Sequence, residues 1–323
     1  MIVLPTRLRV ALDARLQGVS RRELAARASA MSERYRAGGG SDGAVRDDME
    51  ALAYAVARMP ATYAATEAAL RALVQRWPTF APQTTLDLGA GPGSATYAAL
   101  ETWPTIGDVR QYERNAAMRS LAADLAAAAT PHVTIDHTTA DFDRARLDIR
   151  PADLVIATYL LVELAPHVAE RVIARAFESC SGALVLVEPG TPAGFGAIAK
   201  ARTQLIGAGA RVIAPCPGEM ACPMSGTDWC HFSVRLARSR DHMLLKGAQV
   251  PFEDERFSFV AVSRSTEPRP AAARILAEPV VERAGITLKL CTIEGMQHRV
   301  VPRRDKAAYT IARRLGWGSE AAE

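Results

Sequence analysis

The run Thr85-Leu86-Asp87-Leu88-Gly89-Ala90-Gly91-Pro92-Gly93 decides the fold. Its apolar first half contains an acid and opens into a glycine-rich turn. Glycine has no Cβ atom, so a turn of this kind can be tight and can let a ligand approach the backbone closely. The pattern predicts a buried strand, a loop and a helix that begins near Ser94.

The spacing of the glycines distinguishes two nucleotide-binding patterns. In the nicotinamide fingerprint the third glycine follows the second by three residues, whereas Gly93 follows Gly91 by two, and Asp87 precedes Gly89 by two. This arrangement resembles motif I of class I S-adenosylmethionine (SAM) methyltransferases. In that motif the loop passes under the methionine part of SAM, and the acid lies near its ammonium group. An ordinary strand-to-helix turn remains the alternative for the loop taken alone.

Acids also follow the next two predicted strands. Residues 109–113 predict a second strand that ends in Glu113, where a doubly wound sheet would hold a ribose diol. Residues 133–135 predict a third strand, followed by Asp141 at the depth of an adenine; for Asp141 alone, an acid in a solvated loop is an equal alternative. The predicted SAM-binding residues are therefore Asp87, Gly89, Gly91, Gly93, Glu113 and Asp141.

Continuous apolar runs at 153–157 and 183–188 are typical of parallel strands that are buried on both faces. Together these features predict an α/β fold: a class I SAM-methyltransferase (Rossmann-like) doubly wound sheet, with an N-terminal helical layer and a C-terminal extension holding a cysteine cluster and a small β unit. We expect a helical region at 1–80 that packs on the sheet, a SAM-binding core at 81–210, and a metal-cluster and basic RNA-binding region at 211–323.

The 323 residues can bury an ample core. No apolar run approaches the roughly 18 residues that a membrane span needs, and the first 20 residues lack the core of a signal peptide. We therefore expect no membrane partner and a cytoplasmic monomer, or a protein of the mitochondrial matrix if the source is eukaryotic.

Three cysteines, Cys216, Cys222 and Cys230, lie within fifteen residues. Their separations of six and eight positions are looser than the two to four residues usual between ligands of structural zinc sites. Such loose loops suit a cluster whose thiolates converge from several directions. Either Cys291 or His231 can supply the fourth ligand. The alternative is that these are free, buried thiols. We expect Cys180 to be a core or surface residue rather than a ligand.

Positive charge is concentrated in the last third of the chain. The net charge is +4, and residues 231–323 hold 16 Lys and Arg against 11 Asp and Glu. Such a bias indicates an anionic partner, most simply nucleic acid, although solvated basic faces are common. If the segment after Cys230 is helical, part of this charge forms a stripe along one face. The predicted RNA-binding residues are Arg235, Arg238, Lys246, Arg303, Arg304 and Arg313. Strands at 256–262, 286–291 and 297–301 would form the small β unit.

Further motifs resemble the mitochondrial small-ribosomal-subunit methyltransferase-like family, that of methyltransferase-like protein seventeen and its fungal and bacterial relatives. The resemblance covers almost the whole chain. Its motifs are 32–36 (SERYR), 58–63 (RMPATY), 187–194 (VEPGTPAG), 211–217 (RVIAPCP), 220–223 (MACP), 228–232 (DWCHF), 252–259 (FEDERFSF), 308–309 (AY), 312–313 (AR) and 317–318 (WG), besides the glycine loop.

The resemblance implies a SAM-binding fold that acts on the small ribosomal subunit, binds 16S-type rRNA, and serves ribosome assembly or translation. It also implies a [4Fe-4S] cluster, with zinc as the alternative, held by Cys216, Cys222, Cys230 and Cys291. One departure from the family pattern is Gly218, where histidine is expected after Cys-Pro.

The catalytic residues remain unknown from sequence. RNA N-methyltransferases commonly place Asn/Asp-Pro-Pro-aromatic after the fourth strand, whereas this chain has Thr158-Tyr159-Leu160-Leu161 there. Tyr159 or Glu163 can line an acceptor pocket, but core packing and helix capping explain them equally well. Three functions therefore stay open: a SAM-binding iron–sulfur factor that does not turn over, an active SAM-dependent rRNA methyltransferase, and a non-catalytic ribosome-binding module.

Overall fold

The computed structural model describes residues 1–36, 45–142, 149–224 and 226–321. Its helices are α1 Thr6–Arg15, α2 Arg21–Arg36, α3 Asp48–Ala57, α4 Met59–Arg76, α5 Ser94–Thr102, α6 Ala116–Ala129, α7 Pro166–Glu178, α8 Pro192–Gly207, α9 Arg240–Lys246 and α10 Lys306–Ala312. Its strands are β1 Thr84–Leu88, β2 Asp108–Glu113, β3 Thr134–Thr139, β4 Ala152–Thr158, β5 Cys180–Pro189, β6 Arg211–Ala214, β7 Phe232–Ala237, β8 Phe252–Ser263, β9 Ala273–Ile275, β10 Val280–Val281, β11 Gly285–Thr292, β12 Gly295–Pro302 and β13 Glu320–Ala321.

The large sheet has the strand order β3-β2-β1-β4-β5-β8-β6, and β7 also pairs with β8. Strands β1 to β5 run parallel, and β8 runs antiparallel to β5. The order reverses between β1 and β4, which opens a crevice at the carboxyl ends of these strands. The predicted class I SAM-methyltransferase fold, with its Rossmann-like doubly wound sheet, is confirmed.

Alternation along the central strands buries both faces of this sheet. In β5, Val185 and Val187 belong to one apolar core, and Leu184 and Leu186 to the other. Helices α1 to α6 cover the first face, whereas α7 and α8 cover the second. The expected packing of the N-terminal helices on the sheet is therefore confirmed. Pro60 lies in the first turn of α4, where a missing N–H costs no helical hydrogen bond.

One strand of the predicted small β unit is placed elsewhere. Residues 256–262 belong to β8, which lies in the large sheet between β5 and β6, so their assignment to the small unit was wrong. The run from Phe257 to Ser263 is buried at every residue, as a strand covered on both faces must be. Strands β6, β7 and β8 all belong to this sheet, so it extends past residue 210.

The second sheet has the order β10-β11-β9-β13, with β12 also paired to β11. It contains the predicted strands 286–291 and 297–301 and has its own core, which includes Ile275, Leu288 and Leu290. The last described residues return to this sheet, where Glu320 lies opposite Arg274. Glu320 also forms an ion pair with Arg76 of α4, so β13 connects the small sheet to the helical layer. No helix among the described residues is long and apolar enough to cross a membrane.

Candidate functional site

The glycine loop lies between β1 and α5 with three left-handed glycines. Gly89, Gly91 and Gly93 have φ angles of 69°, 55° and 93°, which side chains with a Cβ rarely adopt. A Cβ at Gly93 would lie 2.8 Å from Nε2 of Gln111. At Gly91, by contrast, a Cβ would meet no atom of the described chain within 4 Å. The backbone of Gly91 therefore borders open space that a ligand can fill.

Asp87 fixes the start of the helix after this loop. Its buried carboxylate accepts hydrogen bonds from the amide (3.0 Å) and the hydroxyl (2.7 Å) of Thr96. Burial raises the pKa of Asp87 to about 6, although these two bonds favour its charged form. The acid thus joins β1 to the first turn of α5, which holds the glycine loop in shape.

Glu113 lies on the other side of the loop, at the end of β2. Its two carboxylate oxygens accept hydrogen bonds from the amides of Gly91 (2.9 Å) and Asn115 (2.7 Å). Burial raises the pKa of Glu113. Asp141 lies two residues beyond β3 and forms an ion pair of 3.7 Å with Arg114. The structure thus brings Glu113 onto the loop, and it places Asp141 beside the residue that follows Glu113.

Tyr159 and Glu188 lie at the carboxyl ends of β4 and β5, the sheet edge that also carries the loop. Tyr159 has a φ of 58°, an uncommon and strained value for an aromatic residue. Its hydroxyl donates to the half-buried carboxylate of Glu255 at 2.5 Å. Glu188 accepts a hydrogen bond of 2.7 Å from the amide of Leu161. Tyr159 was a candidate from the sequence, whereas Glu188 and Glu255 were not predicted to lie at this edge of the sheet. An acid at the end of an apolar strand was a signal for Glu188.

Glu188 leads to a prediction about pH. Burial raises its pKa from 4.5 to about 8, so the folded chain keeps a proton that the unfolded chain releases in that range. The free energy of unfolding should therefore fall as pH rises from about 4.5 to 8. Glu188→Gln cannot ionise at this position. Its free energy of unfolding should therefore rise relative to that of wild type by about 2 to 5 kcal/mol across this window.

Urea unfolding of both proteins at several pH values measures this difference. Glu178→Gln, at an exposed position of α7, is the control and should follow wild type. The prediction would be contradicted if the free energy of unfolding changed with pH in the same way for wild type and Glu188→Gln.

The four predicted metal ligands, Cys216, Cys222, Cys230 and Cys291, line one small cavity of about 40 Å³. They are free thiols in the structure. Residues of α8, β8 and the small sheet complete the walls. They include Phe195, Ile198, Arg202, Phe259 and Leu276. Among the described residues, no three His, Cys, Asp or Glu side chains form a group that could hold a single metal ion.

Two other candidates considered as ligands, His231 and Cys180, have different surroundings. The His231 ring stacks on Trp229 at 5.1 Å between centroids and meets Trp317 edge-on at 4.8 Å; it is not one of the described residues that line the cavity. Cys180 is buried in the core beneath α7. Its position therefore agrees with the core alternative expected for Cys180.

Burial sets the protonation of the thiols. It raises the pKa of Cys291 to about 12 and that of Cys230 well above its ordinary value, and the neighbouring cysteines raise both further. Burial also raises the pKa of Cys216, which the charge of Arg202 opposes. In the absence of metal these thiols are neutral near pH 7, and a bound metal would replace their protons. Four thiols are the donor type that a metal group would need, but their positions among the described residues do not form a closed metal site.

Donors from α8, β8, β9 and the turn at Trp317 hold the described residues between β6 and β7, which are 215–224 and 226–231. These hydrogen bonds run from Arg202 to the carbonyls of Gly218 (2.7 Å) and Met220 (2.8 Å), from Arg274 to Pro215 (3.1 Å), from Ser258 to Cys230 (2.8 Å) and from Trp317 to His231 (2.8 Å). Because these carbonyls are paired with donors from outside the segment, its described residues need no regular structure of their own. A Cβ at Gly218 would meet only the end of Met220 at 3.6 Å, so its environment leaves room for a larger residue.

Arg202 and Arg274 were not predicted from the sequence to be part of the candidate site. Both are buried, with exposed fractions of 5% and 3%. Arg202 lies on the same face of α8 as Ile198 and Leu205, which are also buried. An arginine on the apolar face of a helix is a signal that could have found it, because charged side chains are rarely buried without a partner.

The predicted basic residues divide into two groups. The residues after Cys230 form strand β7 rather than the start of a helix, so the helical stripe was wrong. Its cations are engaged instead: Arg235 pairs with Asp254 at 2.7 Å, while Arg238 and Lys246 both pair with Glu253. The local pattern could not reveal this because the acids lie on the neighbouring strand β8. By contrast, Arg303, Arg304 and Arg313 are exposed and form no ion pair among the described residues.

Comparison with known proteins yields a family and two curated relatives. The family described as mitochondrial small ribosomal subunit Rsm22 matches residues 48–321. The human mitochondrial ribosome assembly protein METTL17 is 30% identical over 292 residues, covering 83% of this chain and 61% of that protein. Rsm22-cox11 tandem protein 2, a mitochondrial protein of Schizosaccharomyces pombe, is 26% identical over 323 residues, covering 84% of this chain and 43% of that one.

Solved structures share weaker similarity. An O-methyltransferase family protein from Burkholderia thailandensis has a TM-score of 0.45 at 15% identity, covering 72% of this chain and 63% of that one. A ribosomal protein L11 methylase from Lactobacillus delbrueckii subsp. bulgaricus has a TM-score of 0.38 at 15% identity, covering 62% and 78% of the two chains. The family assignment does not depend on either.

The chain thus spans between about two fifths and three fifths of the length of these curated relatives. Both relatives are mitochondrial, which supports the mitochondrial alternative and gives no support to the predicted cytoplasmic location. The family match runs through the glycine loop, the cysteine segment and the small sheet, so it covers each part of the candidate site. The chain therefore belongs to the mitochondrial small ribosomal subunit Rsm22 family.

Proposed function

We propose that this chain is a SAM-binding, iron–sulfur-containing factor that acts on the small ribosomal subunit through contacts with rRNA. The observation that carries the proposal is the cavity where Cys291 of the small sheet joins three cysteines of one loop, next to the helix α8 that follows β5 of the SAM-type sheet. METTL17 is named as a ribosome assembly protein, and the same role is proposed for this chain.

The glycine loop supports SAM as the ligand. The open space beside Gly91 lies at the strand-order reversal, where doubly wound sheets bind ligands. Glu113 is held there by the amide of Gly91, within the region expected for a ribose. SAM carries a sulfonium and an ammonium group, so acids along this edge would complement its charge. Asp87, Gly89, Gly91, Gly93, Glu113 and Asp141 remain the proposed binding residues.

The cysteine cavity supports a [4Fe-4S] cluster held by Cys216, Cys222, Cys230 and Cys291. A zinc ion held by the same four thiolates is the alternative, because zinc also binds cysteine sulfur. A cluster bound there would supply a cross-link, because Cys291 belongs to the small sheet whereas the other three lie on the loop beside the large sheet. The chain's own contribution is to bring the four thiols to one cavity.

Binding to rRNA is supported by three arginines, Arg303, Arg304 and Arg313, which we call the basic tail. All three are exposed; Arg303 and Arg304 follow β12 of the small sheet, and Arg313 follows α10. Phosphate contacts of such residues make the affinity depend on salt, since binding releases counterions. We further propose a location in the mitochondrial matrix, on the strength of the mitochondrial relatives.

The proposal is tested by purifying the tagged full chain without oxygen, sequencing the bound RNA and measuring iron and sulfide in the same sample. Enrichment of small-subunit rRNA in a brown, iron-containing sample would support it. A colourless, zinc-only sample with all four cysteines reduced would contradict the cluster, and RNA without enrichment of small-subunit rRNA would contradict the ribosomal role.

The basic tail gives a second prediction. The double variant Arg303→Gln with Arg304→Gln should weaken RNA binding and lower the slope of log affinity against log salt by about 1 to 2, because each phosphate contact contributes about 0.7 to 0.9. Filter binding at several salt concentrations measures the slope. Arg235→Gln is the control, because Asp254 already neutralises that side chain. Equal slopes for all three proteins would exclude the tail from the interface.

An active methyltransferase is the second candidate, favoured by the strained Tyr159 at the end of β4 and its hydrogen bond to Glu255. Methyl transfer to a good nucleophile can depend largely on positioning, so the missing Asn/Asp-Pro-Pro motif leaves this open. Transfer of labelled methyl groups from SAM to 16S-type rRNA would favour this candidate. The third candidate, a non-catalytic module, requires that calorimetry detect no binding of SAM.

A further inference from the structure

Arg202 is a buried cation beside the cysteine cavity, with an exposed fraction of 5%. One terminal nitrogen donates to the carbonyls of Gly218 (2.7 Å) and Met220 (2.8 Å). Its Nε is buried and has no hydrogen-bond partner among the described residues, nor does any carboxylate there form an ion pair with it. A buried charge without a counter-charge is unfavourable, so an anion is expected within reach of this side chain.

The cavity is where that anion would lie. Arg202 lines it together with the four cysteines, and its positive charge acts on the thiol of Cys216. Four thiolates carry more negative charge than the positive charge of Zn²⁺ or of an iron–sulfur core, so a loaded site would be anionic. A loaded site would therefore supply the counter-charge that Arg202 lacks.

A second buried arginine lies near the cavity and provides a contrast. Arg274 donates to the carbonyl of Pro215 and also forms an ion pair with Glu320 at 3.1 Å. Its charge is therefore already compensated by a carboxylate. Arg202 has only neutral oxygen atoms as hydrogen-bond acceptors among the described residues. Unlike that of Arg274, its charge is therefore not compensated by a carboxylate there.

We propose that Arg202 is a positioning residue whose positive charge stabilises the metal-loaded, thiolate form of the four-cysteine site and whose fork fixes the loop that carries Cys216 and Cys222. This rests on the proposed iron–sulfur function. It assigns a role to one helix residue that is not itself a ligand. Partners of this kind, one step removed from the metal, change metal affinity and reduction potential.

The test compares wild type with Arg202→Gln and Arg202→Lys after anaerobic purification or reconstitution. Arg202→Gln removes the charge, whereas Arg202→Lys keeps the charge and loses the fork. Release of iron to a chelator should be about tenfold faster or more in Arg202→Gln than in wild type. The reduction potential of this variant should also be lower, because the positive charge favours the more negative, reduced state. Arg202→Lys should retain the potential of wild type.

Lys200→Gln is the matched control, since it removes one charge from the exposed side of the same helix and should change neither value. Circular dichroism checks that each variant is folded. A loaded Arg202→Gln protein with the potential and iron release of wild type would overturn this inference while leaving the cluster in place. Equal reduction potentials in Arg202→Gln and Arg202→Lys would also overturn it, because the charge would then make no difference to the site. A wild-type protein that takes up no iron would instead contradict the proposed function.

Discussion

Cys230→Ser should leave the protein with almost none of the iron that wild type carries. The thiols of Cys216, Cys222 and Cys291 each raise the pKa of Cys230, so Cys230 interacts with all three of the other predicted ligands. Serine is nearly the same size but ionises far less readily, and it is a poor ligand for iron. We therefore expect the loss of metal without a new cavity or a new steric clash.

The measurements are iron and sulfide per chain, the visible absorbance of anaerobically reconstituted protein, and its thermal unfolding. Because metal that binds only the folded state stabilises it, Cys230→Ser should also unfold at a lower temperature than loaded wild type. Both proteins should unfold alike after metal is removed.

Cys180→Ser is the control for this comparison. Cys180 is buried in a core away from the cavity, so the substitution should cost about 1 to 3 kcal/mol of stability by burying a hydroxyl. It should keep the full iron content. If Cys230→Ser held as much iron as wild type, the four-cysteine site would be wrong.

Gly91→Ala should weaken SAM binding by about tenfold to a hundredfold, since a methyl group forced into a fitted space costs about 1 to 3 kcal/mol. Its Cβ would meet no atom of the described chain within 4 Å, so the added methyl group would project into the space proposed for the ligand. The left-handed φ of 55° adds a folding cost of about 1 kcal/mol, which the protein can tolerate.

Isothermal calorimetry with SAM measures the affinity, and urea unfolding measures the folding cost. Gly18→Ala is a matched control, because Gly18 also has a left-handed φ and open space around its Cα. It should lose similar stability and keep wild-type affinity. Equal affinities for Gly91→Ala and wild type would exclude this loop from the ligand site, and wild type without affinity for SAM would contradict the proposed cofactor.

Much of the sheet follows from local sequence. The runs at 85–88, 109–113, 153–157 and 183–188 all form strands near the predicted bounds, because continuous burial demands continuous apolar residues. The helix after the glycine loop begins at Ser94 as predicted. These features depend on contacts between residues close in sequence, and local patterns therefore contain the information.

Partners distant in sequence were harder to predict. The helical stripe through Arg235 failed because the strand pairing of β7 with β8 overrides local spacing and brings Asp254 to the arginine. Residues 256–262 were recognised as a strand but assigned to the wrong sheet, since an apolar run does not specify which neighbour it will pair with. Glu188 and Glu255 were missed for a related reason: their roles depend on groups from other strands.

The amino-acid sequence by itself determined the doubly wound fold, the glycine loop and the residue types available for metal binding, because these follow from periodicity, glycine geometry and thiol chemistry within short segments. Only the tertiary structure decided that Cys291 of β11 lies at the same cavity as Cys216, Cys222 and Cys230, and that Arg202 faces it. The physical reason is that such sites form where separate elements pack, and the packing energy of the whole core selects those neighbours.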